Sequence, residues 1–79
     1  MSLTRIFQSK GLDAEAVLVL GEAFDTAWAL VKTNYPYFAI GPLAVRTRDA
    51  LAKHIIDDGM QGQRDVRKLV EGALSRLRL

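Results

Sequence analysis

The stretch following Asp13 constrains this chain most, because its apolar residues run along two overlapping helical lines. Ala14, Val17, Gly21, Phe24, Trp28 and Val31 recur at alternating spacings of three and four, the signature of a heptad-like seam. Ala16, Leu20, Ala23, Ala27 and Leu30 widen that seam on one side. At the helical period, the combined arc covers roughly half of the helix circumference. Glu15, Glu22, Asp25 and Lys32 occupy the remainder. Asp13 is a suitable N-cap, and Glu15 suits the positive end of the helix dipole. The spacing therefore predicts a helix over 14–33 whose apolar arc needs two neighbours. A single hairpin partner would leave part of it wet.

The rest of the chain offers such neighbours. Pro36 disfavours helix at Tyr35, and the segment 34–42 holds three of the six aromatic residues, Tyr35, Tyr37 and Phe38. It reads as an apolar linker whose side chains close one end of a core. Gly41-Pro42 opens a second helix reaching about residue 58, because proline is tolerated where the first N–H has no helical partner. Leu43, Ala44, Thr47, Leu51 and Ile55 line one face, and Asp49, Lys53 and Asp57 form a charged ladder on the other. Gly59 is the expected stop, with Met60 folding back on Ile55. After the turn 59–62, a third helix is predicted over 64–78. Val66, Leu69, Val70, Ala73, Leu74 and Leu77 give its apolar face. Ahead of these, Leu3, Ile6 and Phe7 follow i, i+3, i+4 spacing after Ser2, and Gly11 fits a helix stop. A short amphipathic turn over 2–11 is expected there.

The fold class is therefore all-α. One domain over 1–79 holds a small bundle of three main helices and a short N-terminal helical turn. With 79 residues the chain buries a modest fraction of its surface. Such domains usually gain support from disulfides, metals or a second subunit. Cysteine is absent, which removes disulfides and thiolate metal sites. Tight helix packing or self-association remains. The stretch 14–21 is short and flanked by Glu22 and Asp25, so it suits neither a bilayer span nor a secretory core. A cytoplasmic protein is expected.

Chemistry is sparse. The single histidine, His54, has Asp57 and Asp58 at i+3 and i+4. That set falls short of the three or four ligands of a zinc site, so no metal or cofactor is expected. Ser2, Ser9 and Ser75 lie near the ends of the sequence, outside any nucleophile elbow. Glu22 with Asp25, and Asp57 with Asp58, read as solvated carboxylates with nothing to raise a pKa for acid–base work. The spacing Gly59-x-x-Gly62 is not a phosphate loop and is expected to serve turn geometry alone. An enzyme is the least favoured class.

Nucleic acid is a more serious candidate. The net charge is +2. Residues 1–40 have three basic and four acidic groups, whereas 41–79 have eight basic and five acidic. Helix, Gly-containing turn, helix is the outline of a helix-turn-helix, and Arg64, Arg67, Lys68 and Arg78 would form its contacts. Glu71 interrupts that face, and phosphate binding scales with the number of cations.

The run Phe24-x3-Trp28, then Leu51-Ala-x2-Ile55-Ile56-x2-Gly59, then Leu69-x3-Ala73-Leu74-x2-Leu77 resembles short all-helical proteins common in bacterial genomes. The resemblance spans residues 13–79 and rests on apolar spacing. It implies an all-α fold and transfers no activity or site residue.

The leading expectation is a non-enzymatic helical interaction module, self-associating as a homodimer. Its interface is expected to use Ala16, Leu20, Ala23, Trp28, Leu30, Tyr35 and Tyr37, since tyrosine and tryptophan are enriched at interfaces. An unknown protein partner is also possible on this reading. The alternative is a weak nucleic-acid binder.

Overall fold

The computed structural model describes residues 13–77. Three α-helices follow one another: α1 (Ala14–Asn34), α2 (Gly41–Met60) and α3 (Val66–Leu77). A 3-10 turn, Pro36–Ala39, joins the first two. Each helix packs on both others, and the 3-10 turn packs on α1 and α2. There is no strand among the described residues. The chain forms a small all-α bundle, as its periodicity predicts. The turn expected over 2–11 lies outside the described residues.

Helix α1 begins where capping chemistry places it. Asp13 has extended backbone, φ −90° and ψ 177°, and its Oδ1 accepts from the Ala16 N–H at 2.8 Å. That contact satisfies one of the N–H groups a helix start leaves without a partner. Helix α1 buries Ala16, Leu20, Ala23, Ala27 and Val31, a stripe with helical spacings of three and four. Four of these five belong to the line expected to widen the seam; Val31 comes from the seam itself, and Leu30 of the widening line is exposed. The seam residues Val17, Phe24 and Trp28 are half-buried on one flank, and Ala14 and Gly21 are exposed. The rotation has a physical reason. Alanines let α1 approach α2 and α3 closely, which the aromatic line would prevent.

Opposite that stripe, α2 buries Thr47, Leu51, Ile55 and Gly59, and α3 buries Leu69, Val70 and Ala73. Leu51, Ile55, Leu69 and Val31 are the largest side chains fully removed from solvent. Asp49, Lys53 and Asp57 are exposed, as their ladder spacing predicts.

Gly59 does not stop α2. The helix continues to Met60, which is half exposed and does not fold onto the core. The left-handed residue of the turn is Gly62, at φ 100°. Gly59 is buried in the last turn because a β-carbon there would collide with Leu20. The glycine pair thus has two different causes, close helix approach at Gly59 and turn geometry at Gly62.

The linker also departs from expectation. Phe38 and Ala39 pack on the core, but Tyr35 and Tyr37 face outward. Tyr37 makes an edge-to-face contact with Phe38 at 5.8 Å between ring centroids. One aromatic side chain of the linker therefore packs on the core, and the two tyrosines are exposed. Helix α3 starts at Val66 rather than residue 64. The Oδ1 of Asp65 accepts from the Lys68 N–H at 3.2 Å, and Gln63 Oε1 accepts from the N–H groups of Arg64 and Asp65.

Candidate interaction surfaces

Because α1 centres its buried stripe on small residues, its wide apolar arc overhangs on both sides. Two apolar valleys result, one along each helix–helix seam.

The first valley lies between α1 and α2. Val17, Leu20, Gly21 and Phe24 line it from α1, and Ala52, Ile55 and Ile56 from α2. Its volume is about 250 Å³. Leu20 and Ile55 belong to the core and form the floor. Gly21 is exposed, and a β-carbon there would stand in open space. Arg48 bounds the end toward the 3-10 turn. Its guanidinium carbon sits 5.6 Å from the Trp28 ring centroid and 6.0 Å from that of Phe24. This is within the range of cation–π attraction, about 6 Å from the ring centre. The spacing Ala44, Arg48, Ala52, Ile56 shows this file in the sequence. Arg48 was the missed member, and its sequence signal is a lone cation at i+4 spacing among apolar residues.

The second valley lies between α1 and α3. Thr26 and Leu30 line it from α1, and Val66, Val70 and Leu74 from α3. Arg67 and Glu71 form its rim and are joined by an i, i+4 ion pair of 3.1 Å. Both side chains are largely exposed.

These valleys redistribute the expected interface residues. Ala16 and Ala23 are fully buried and Leu20 nearly so, all inside the chain's own core. They cannot meet a partner without unfolding the bundle. Leu30 keeps 37% of its surface exposed, Tyr35 40% and Tyr37 68%. Trp28 is half-buried beneath Arg48. The expected set is thus split among the core, the Arg48 contact (Trp28), the second valley (Leu30) and the linker end (Tyr35, Tyr37).

The expected nucleic-acid contacts are also split. Arg64 Nη1 donates to the Gly59 carbonyl at 2.6 Å and to its neighbour Gln63's carbonyl at 2.9 Å. It closes the C-terminal end of α2, where a cation is favoured by the helix dipole. Arg67 is paired with Glu71. Lys68 is exposed and has no ion pair among the described residues. Arg78 lies outside the described residues. Asp58 is engaged across α2 and α3 by Arg76 at 2.8 Å. No group of three or more metal-ligating side chains is found among the described residues. No helix among them is long and apolar enough to cross a membrane.

Comparison of the chain with protein-family models, with curated proteins and with solved structures finds no match.

Proposed function

We propose that this chain is a non-enzymatic helical interaction module that pairs with a second copy of itself through the α1–α3 valley. The observation that carries the reading is Leu30, held partly exposed beside Val66, Val70 and Leu74. An apolar valley with a charged rim has the composition of an interface centre. The rim also suits a two-fold arrangement. Arg67 and Glu71 lie one turn apart on α3, so a dyad passing midway between them would set each against its opposite charge on the second copy. A symmetric interface requires such self-complementarity. The exposed tyrosines of the linker, Tyr35 and Tyr37, are read as further interface residues. A cytoplasmic setting completes this reading and rests on the sequence expectation.

Sedimentation of the full chain tests the proposal. The expected mass is twice 8.8 kDa at high micromolar concentration. Leu30→Glu is expected to return the mass to a single chain while helical circular dichroism persists, because Leu30 is not a core residue. A wild-type chain that sediments as a monomer under those conditions overturns the proposal.

A further inference from the structure

The α1–α2 valley lies on the other flank of α1, and its chemistry selects an occupant unlike a second copy. We propose that this valley binds a free medium-chain fatty-acid anion, with the alkyl chain along the seam and the carboxylate on Arg48.

Shape argues for a slim chain. The floor of the valley is Leu20 and Ile55, and its α1 lining runs from Val17 to Phe24. Along a helix, that interval is about 10 Å at 1.5 Å per residue. The valley's volume is about 250 Å³, below the range of about 300–1,000 Å³ usual for pockets that hold drug-sized ligands. A partner's helix, about 10–12 Å across with its side chains, would rest on the rims rather than enter. A single alkyl chain can lie between them. Phe24 and Ala52 also line a neighbouring hollow of about 330 Å³, together with Val45, Arg48 and Asp49.

Chemistry sets the kind of chain and its direction. No side chain lining the first hollow is polar, so an occupant gains there by removing hydrocarbon from water. Charge enters at one end. Arg48 is exposed and forms no ion pair among the described residues. Its guanidinium covers Trp28 and Phe24, and a guanidinium whose face rests on a ring keeps its N–H edge for a carboxylate. An amphiphile with one anionic end therefore matches the valley along its length. Asp49 is exposed beside Arg48 in the second hollow, and Asp25 follows Phe24 on α1. Both weaken the field of Arg48 and disfavour a multiply charged head group such as a phosphate monoester.

Trp28, the only tryptophan, lies under Arg48 and reports the carboxylate end. The full chain is titrated with decanoate brominated either beside the carboxylate or at the far end of the chain, below micelle-forming concentrations. Saturable quenching of Trp28 is expected, deeper from the bromine beside the carboxylate. By calorimetry, decanoate is expected to bind about fourfold tighter than octanoate, the gain for two half-buried methylenes. Arg48→Gln is expected to weaken decanoate about fivefold and Asp49→Asn to tighten it about twofold, the range for exposed charges. Leu30→Glu alters only the α1–α3 valley and is expected to leave the affinity unchanged, so failure of the dimer reading does not affect the result. No saturable quenching at millimolar ligand, deeper quenching from the far-end bromine, or equal binding by wild type and Arg48→Gln would overturn the proposal. Loss of binding in Leu30→Glu would place the ligand in the other valley, and loss of helical circular dichroism on addition would reveal detergent action. Either result overturns it too.

Discussion

Gly59 and Leu20 are in contact across the α1–α2 seam, so closely that a β-carbon on Gly59 would lie 2.5 Å from Leu20 Cδ2 and 2.9 Å from Cδ1. Both Leu20 methyls are involved, and the side chain is only 4% exposed. A β-carbon at Gly59 would therefore require the Leu20 side chain to shift within its packed surroundings. In Gly59→Ala, the gain in helix propensity of about 1 kcal/mol opposes an overpacking penalty of about 1–3 kcal/mol. Overpacking outweighs the gain, and denaturant unfolding is expected to show a net loss of up to about 2 kcal/mol. The double variant Leu20→Ala, Gly59→Ala is expected to be more stable than the sum of the two single changes predicts. Additive losses would show that the contact is slack.

Gly62 is expected to respond to alanine for a different reason. Its φ of 100° lies in the region L side chains avoid, while open space surrounds the position. Gly62→Ala therefore introduces backbone strain alone, about 1–2 kcal/mol. Thermal unfolding should fall by about 4–8 °C for each of those kilocalories in a domain of this size. No change in midpoint would mean that the turn re-forms without a left-handed residue.

Arg48 covers the rings of Trp28 and Phe24, and Trp28 is the only tryptophan. Its fluorescence thus reports on that one contact. Arg48→Ala is expected to raise acrylamide quenching of Trp28 and to lower stability by about 0.5–1 kcal/mol, the range for an exposed cation–π contact. Arg48→Lys should recover part of the shielding. Unchanged quenching in Arg48→Ala would show that the guanidinium does not rest on the ring.

Asp58 and Arg76 clamp α2 to α3 at 2.8 Å, with side-chain exposures of 18% and 46%. A pair this open to solvent is screened, so Arg76→Ala is expected to lower stability by no more than about 1 kcal/mol. The difference from wild type should shrink in molar salt, where the screening length falls to about 3 Å. A salt-independent loss would assign the effect to the packing of the arginine stem instead.

The three helices are legible in the sequence because each has a strong apolar period and a recognisable punctuation residue: Asp13, Pro36, Pro42 and Gly62. Which line of α1 faces inward is harder to read. Both candidate lines obey helical spacing, and hydrophobicity alone favours the aromatic one. Packing distance decides for the alanines, and that is a property of two helices together. Gly59 misleads for a related reason. A glycine near a helix end fits a stop signal, and only the position of Leu20 reveals its other role. Arg64 and Arg67 read as a basic face because sequence shows their charge; Glu71 is visible there as an interruption at i+4 from Arg67, whereas the Gly59 carbonyl that engages Arg64 appears only in three dimensions. The valleys are visible in outline as surplus apolar arc, but their partition into two seams depends on which side α2 and α3 take.

Three of the five side chains that α1 sends into the core, Ala16, Ala23 and Ala27, are the smallest a helix can offer short of glycine. The centre of the molecule is therefore lean, and much of its oily surface hangs at the margins. If the chain pairs with itself as proposed, dilution works against its stability. In a self-pairing chain so constructed, the melting midpoint climbs with the amount of protein in the cell. Part of the sturdiness would then belong to the assembly.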